Sequence, residues 1–382
     1  MVGPLSGKQR HVLLAGGGHA HAVALRLLTK HPPKPGLQLS LVAPSAHNLY
    51  SGALPGVIAG HWPAESIGVP LKPLCKAAGV AFIQDHITSL DPDARTVRLA
   101  SGKDLAFDLM CLDVGSGIRP LCIPDPQNAI TPIRPIAPFL EQWNSAIARI
   151  RRGNVPPTVV IIGAGLAGIE VSLAISYRLN VEAGGDTNIY LVDRGHSIAP
   201  TSAPALRHKL ERALHKAGIK CLLGAEVQAV ESDCVILSSG DRLEVALAVN
   251  CAGSAPHGWI DMAGLNTVNR RVEVDSCLRS TSHPCIWASG DTSFFKPNPL
   301  EPAGVFAVRA GPVIAGNIRR YSRSVPLTPF HPQSDYLKLV SLGVQRAVAE
   351  KYGFTMEGRW VWHLKKSIDF SFLRNHTLPT SD

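Results

Sequence analysis

The chain has 382 residues, 45% hydrophobic and 18% charged, which is enough for two or three domains and too apolar for a disordered chain. Its formal net charge is +9, but Lys and Arg are scattered rather than blocked, so it reads as a generally basic protein with no nucleic-acid partner. The eight cysteines, at 75, 111, 122, 221, 234, 251, 277 and 285, form no C-x-x-C pair, which excludes zinc spacing.

Predicted elements begin with an apolar strand, His11–Ala15, running into Gly16-Gly17-Gly18-His19-Ala20-His21. No small-residue cleavage pattern follows, so this is a strand rather than a signal peptide. A helix over Ala20–Thr29 ends at His31-Pro32-Pro33, and Leu37–Ala43 is a second strand with period-two apolar residues. The three form a βαβ unit with its glycine turn at the strand's C-terminal end. His47–Trp62 is too rich in Gly and Pro for one helix. Ala81–Leu90 and Thr96–Leu99 alternate like antiparallel strands, and Leu105–Val114 is a strand ending at Gly115-Ser116-Gly117. The Pro-rich passage Arg119–Pro138 marks a domain boundary.

The plan then restarts. A helix over Phe139–Arg152 precedes the strand Thr158–Ile162, the turn Gly163-Ala164-Gly165-Leu166-Ala167-Gly168, a helix over Ala167–Leu179 and the strand Asn188–Asp193. Val159–Ile175 is the longest apolar run. Its glycines and Glu170 make it strand, turn and helix rather than a membrane span. With neither signal nor span, the cytoplasm is the expected location. Ala203–Ala217 is a helix, and Ala246–Cys251 a strand ending in Ala252-Gly253-Ser254. Arg271–Val274 and Cys285–Ala288 are strands, the latter ending in Ser289-Gly290-Asp291. Gly304–Arg319 is a helix, and a small appended segment starts near Pro326.

The two glycine turns carry the chemistry. In the second, Gly163 permits the tight turn, Gly165 lets backbone approach a pyrophosphate, and Gly168 lets helix and strand close together, with Leu166 opening the helix. The pyrophosphate sits on unpaired N–H groups at the helix start. Asp193 ends the next strand, where a carboxylate accepts a ribose 2′-OH and repels a 2′-phosphate. NADH is therefore expected ahead of NADPH, although Arg194 pulls the other way. The first turn has Gly16, Gly17 and Gly18, but His21 replaces its third glycine and its second strand ends in Ala43, leaving a ribose to Ser45, Asn48 or backbone. His19 and His21 stand at i, i+2, face different sides and are expected to flank the phosphate turn rather than hold a metal. Gly115, Gly253 and Asp291 lie in the small-residue turns that end three strands, and Asp291 is placed for a polar chain such as a flavin ribityl.

With these motifs in this order, the chain resembles the two-dinucleotide-binding flavoproteins of the pyridine nucleotide-disulfide oxidoreductase superfamily. Within it, the chain is similar to type II NADH dehydrogenases and sulfide:quinone reductases, and more closely to the NADH-dehydrogenase-like module fused to selenide water dikinase. The closer match rests on Gly16–His21, Tyr50–Gly56, Gly304–Arg309 and the tail Trp360–Phe372 with Lys365-Lys366 and Ile368-Asp369. The resemblance implies an α/β fold of two interleaved Rossmann-like domains in three-layer ββα form, with a small C-terminal extension. FAD would take 1–130 and 268–325, NAD(P)H 131–267, and the extension 326–382. The implied activity is hydride transfer from NADH to FAD and on to a quinone or similar small-molecule acceptor, by a monomer or homodimer.

Departures from that pattern narrow the chemistry. Tyr50–Trp62 lacks the cysteine pair of disulfide reductases, and no cysteine follows Asp291, which disfavours sulfide:quinone chemistry. The glutamines that type II enzymes place near quinone are absent, with Val308 and Arg309 on that helix instead. Arg309 is the candidate donor to an acceptor carbonyl, or an ion-pairing arginine. Glu170 is the candidate side chain near nicotinamide and flavin, or a glutamate favoured by the helix dipole. A sulfur or selenium acceptor would call on Cys122. A slow-turnover, NADH-responsive flavin module is the reading from another class. In the tail, Val361, Leu364, Ile368 and Phe372 recur at helical spacing. That stripe is expected to cover the FAD domain or a dimer partner, with peripheral contact on the inner face of a membrane as the alternative.

Overall fold

The computed structural model describes residues 9–184, 187–231 and 233–377. In chain order, β1 (Arg10–Ala15) leads into α1 (His19–Lys30), followed by β2 (Leu37–Ala43), β3 (Ala81–Gln84) and β4 (Leu109–Leu112). A second series comprises β5 (Ile130–Pro132), β6 (Thr158–Ile162), α2 (Leu166–Ala183), β7 (Asn188–Asp193), β8 (Lys220–Leu223) and β9 (Leu247–Asn250). The chain then returns through β10 (Ile286–Ala288) and α3 (Gly304–Ser322). It closes with β11 (Lys338–Leu342), β12 (Val344–Lys351), β13 (Phe354–Gly358) and α4 (Arg359–His376).

Two parallel five-stranded sheets result, ordered β10-β4-β1-β2-β3 and β5-β9-β6-β7-β8. The strand that feeds each glycine turn is central in its sheet. Val12–Ala15 and Val159–Ile161 are fully buried because helices and a second sheet cover both faces. The second layer over each is a three-stranded antiparallel sheet, from Ile87–Asp91, Thr96–Leu99 and Asp104–Ala106 in one half and Val227–Glu231, Cys234–Leu237 and Arg242–Glu244 in the other. This is the three-layer Rossmann-like architecture expected above. In each half the strand order reverses beside the central strand, at β1/β4 and β6/β9, where ligands of open α/β sheets sit beyond the carboxyl ends.

Two expected strands divide. Ala81–Leu90 is not one antiparallel strand: Ala81–Gln84 is a parallel edge, and the chain turns at Asp85-His86 before Ile87–Asp91 pairs antiparallel with Thr96–Leu99. Leu105–Val114 divides at Phe107-Asp108, where Asp108 takes the His11 N–H on its carboxylate (2.7 Å) and sends the chain into the main sheet. Apolar alternation is the same in both kinds of sheet, so it does not mark such a crossing.

The tail stripe is also corrected. α4 buries Val361, Trp362, Lys365, Asp369, Leu373 and His376, while Leu364 and Ile368 point outward with Trp360. The inward face carries an ion pair, and the predicted apolar stripe divides, Val361 and Phe372 packing inward and Leu364 and Ile368 facing away.

Candidate functional site

Neither glycine turn supplies a side-chain cap to the helix it opens. Gly18 caps α1 and Gly165 caps α2, with no side-chain cap and no acid in the first turn of either helix. Gly16 and Gly163 sit at φ +93° and +107°, a conformation that favours glycine. A Cβ on Gly165 would meet nothing within 4 Å, so the second turn is an open cradle. The start of α2 can therefore receive a diphosphate, whereas at α1 the buried Asp113 carboxylate already takes the Ala20 and His21 amides.

The third position explains how histidine replaces glycine. At Gly168 a Cβ would lie 1.9 Å from the Gly163 carbonyl oxygen. At His21 the side chain turns back on the corresponding carbonyl, and its Nδ1–H donates to Gly16 O at 2.6 Å. The imidazole spans a gap that the second turn closes.

The acids differ in the same systematic way. Asp193 accepts the Ala164 N–H on Oδ2 and the Gly195 N–H on Oδ1, both at 2.7 Å. It fastens β7 to the second turn, with lone pairs left for a hydroxyl. β2 ends without an acid, and Asp113 after β4 takes the structural role: its carboxylate accepts the His21 N–H at 2.9 Å and its carbonyl the Gly18 N–H at 3.1 Å. Burial, with Asp291 nearby, pushes the Asp113 carboxyl up to about 7 against the pull of the His21 and Ala20 amides. Asn48 donates to Gly17 O at 2.6 Å, fastening its loop to the first glycine turn, and the Ser45 hydroxyl accepts the His47 N–H within its own loop.

Asp291 does not stand alone. Its Oδ2 accepts Ser116 Oγ–H at 2.9 Å and Arg134 Nη1–H at 3.2 Å. Arg134 lies within the Pro-rich boundary passage, so this ion pair ties that passage to the strand end at Asp291. Gly117-Ile118 pairs with Ser254-Ala255, and Gly253 O accepts the Arg119 N–H at 3.1 Å, linking the turns at Gly115 and Gly253.

His19 leaves the turn toward Tyr50 and Phe372, with ring centroids 5.2 and 5.7 Å away; Tyr50 and Phe372 stack at 4.7 Å. Burial lowers its imidazole to about 4, and its buried Nε2 has no hydrogen-bond partner among the described residues. An unpartnered polar atom beside a glycine turn fits a nucleotide whose polar chain completes the site. His19 and His21 thus enter different surroundings.

Glu170 and Arg309 are not brought together. Glu170 Oε1 accepts the Ser341 N–H at 2.6 Å, which fastens α2 to β11. Loss of solvent raises its carboxyl, with the Lys365 charge pulling back. Lys365 and Asp369 are 8% and 5% exposed, so the pair is buried; it joins at 3.0 Å, and Lys365 also donates to Gly52 O at 2.7 Å. Tyr50 OH donates to Asp369 Oδ1 at 3.3 Å. Arg309 is exposed on α3, and Cys122 is exposed in a loop.

Lys365 and Asp369 beside Glu170, together with Asp113 and Arg134, were missed as site residues. A Lys-x-x-x-Asp spacing on a helix signals an ion pair but not its burial.

His21 gives a pH-dependent expectation. Burial drops its imidazole from 6.5 to about 4. Between those values the unfolded chain holds a proton that the native chain does not, so stability falls as pH drops through that window. His21→Asn, which keeps a side-chain donor, reduces the loss of Tm between about pH 7 and about pH 5. An unchanged loss would contradict this burial.

Comparison with known proteins follows the geometry. The family model described as pyridine nucleotide-disulphide oxidoreductase matches residues 10–310. An NADH dehydrogenase-like protein of Mycobacterium tuberculosis is 29% identical over 237 residues, 59% of this chain and 58% of that protein, so the chain spans less than two thirds of that relative. A type II NADH:quinone oxidoreductase of Staphylococcus aureus is 22% identical over 383 residues, 94% of each chain. The sulfide:quinone oxidoreductase of Aquifex aeolicus superposes with TM-score 0.79 at 21% identity, over 97% of this chain and 93% of that one, a likeness of fold.

Proposed function

The chain belongs to the pyridine nucleotide-disulphide oxidoreductase family, and from that premise we propose that it is an FAD-dependent NADH dehydrogenase passing electrons to a quinone or similar small acceptor. The observation that carries this reading is the repeated sheet order, with a glycine turn and a helix start at the central strand of each half. The Mycobacterium and Staphylococcus relatives, named for NADH dehydrogenase and NADH:quinone activity, support it.

In this reading residues 1–130 and 268–325 form the FAD domain, 131–267 the NADH domain and 326–382 a covering extension. Gly16–His21 take the FAD diphosphate, and Gly115 and Asp291 face its polar chain. Gly163–Gly168 take the NADH diphosphate, and Asp193 favours a ribose hydroxyl over a 2′-phosphate. Bound FAD supplies the two-electron carrier between NADH and the acceptor, chemistry that no side chain here provides. The protein's own contribution is orientation and exclusion of water. Arg134 holds the Asp291 carboxylate across the two halves. Glu170, Lys365 and Asp369 close the extension over α2 and keep charges paired where solvent is thin.

Among the described residues no helix is long and apolar enough to cross a membrane. Trp360, Leu364 and Ile368 on α4, with Phe354 and Met356 on β13, are exposed, and we place a peripheral membrane contact there. Mixing the FAD-loaded protein with NADH and vesicles containing a quinone tests both finer points. The reading predicts NADH oxidation that depends on the quinone, and sedimentation of protein with the vesicles. No quinone-dependent oxidation would remove quinone as acceptor, and protein left in the supernatant would remove the membrane contact.

A further inference from the structure

A groove of about 590 Å³ opens between α1, α3, the segment 329–331 and the end of α4. Its volume lies in the range of small-molecule sites. Phe330 and Phe372 supply apolar wall. The polar wall is cationic or imidazole in character: Arg26 from α1, Arg309 from α3, His331 from the loop and His376 from α4.

No described residue of this wall is acidic. Among the described residues Arg26 and Arg309 form no ion pair. Arg26 makes only a long contact of 3.5 Å to the Asn375 amide oxygen. His376 is 3% exposed, and its Nε2 has no hydrogen-bond partner among the described residues. Its Nδ1–H donates to Phe372 O at 2.7 Å, and its ring lies 4.3 Å from that of Phe372. Two arginines from different helices thus line an apolar slot with no acidic counter-charge among the described residues. An unpaired cation cluster beside apolar surface is complementary to one kind of molecule.

We propose that this groove binds a soluble organic anion, a carboxylate or phosphate ester with an apolar body. The arginines take the anionic head and the phenylalanines the body. The assignment does not depend on the reading of the two glycine turns.

The test is calorimetric titration of the full-length, FAD-loaded protein, without NADH, using octanoate, octyl phosphate, octanol and inorganic phosphate. The two organic anions are expected to bind saturably, at least about tenfold more tightly than octanol or inorganic phosphate. Arg26→Gln and Arg309→Gln are each expected to weaken the anions about tenfold and leave octanol unchanged. Flavin content and circular dichroism verify that the variants fold. Octanol binding as tightly as octanoate would overturn the proposal on the wild-type protein alone. Inorganic phosphate matching octyl phosphate would overturn the role of the apolar wall. Anionic-lipid vesicles that displace octyl phosphate would overturn the assignment to a soluble ligand.

Discussion

Gly168→Ala is expected to weaken NADH binding about tenfold to about hundredfold and to leave FAD in place. The added Cβ falls 1.9 Å from the Gly163 carbonyl oxygen, a backbone atom with no rotamer to move into. α2 has to lift from β6, which carries its N-terminus away from the diphosphate. Overpacking of this kind costs about 1–3 kcal/mol, and each 1.4 kcal/mol is roughly tenfold in affinity. The first turn is untouched, because its equivalent position already carries a side chain bonded to Gly16. Titration with NAD⁺ gives the affinity, and absorbance gives the flavin content. Unaltered affinity would contradict the assignment of the second turn to NADH, and loss of flavin would contradict the assignment of the first turn to FAD.

Lys365→Met is expected to destabilise the protein by about 3–5 kcal/mol, a loss typical of removing one partner of a buried ion pair. It strips the cation from Asp369, to which Lys365 bonds at 3.0 Å, and leaves Glu170 with a buried acid as neighbour. Adding Asp369→Leu is expected to recover most of the loss, because an apolar pair of similar volume costs little. Calorimetric unfolding of the single and double variants measures both. A single variant within about 0.5 kcal/mol of wild type, the range of an ordinary surface substitution, would contradict the burial of this pair.

These two residues mark what the sequence could and could not tell. Gly168 was legible because strand, three glycines, helix and terminal acid fall at fixed spacing, and each type has a geometric reason. The doubled βαβ plan followed from the same grammar. His21 was visible only as an exception; that its imidazole bonds the carbonyl which forbids a side chain at 168 needs the third dimension. Asp193 was legible as a strand-end acid, but not as an acceptor for Ala164 and Gly195. Asp113 stands some 90 residues from the amide it accepts, so no local window connects them. The tail was legible only by half, with Val361 and Phe372 packed inward as expected. Helical spacing finds apolar stripes, but it assumes they face the core. Here the core side carries Lys365 and Asp369, paired with each other and with Tyr50 and Gly52, and Leu364 and Ile368 are turned out.

That the two glycine turns hold an electron donor and its flavin acceptor is tested most directly by single turnover. The FAD-loaded protein is mixed anaerobically with NADH, and separately with NADPH, while the oxidised-flavin absorbance is followed. The account predicts that the absorbance is lost within seconds, and faster with NADH than with NADPH. A flavin that stays oxidised with both would contradict it.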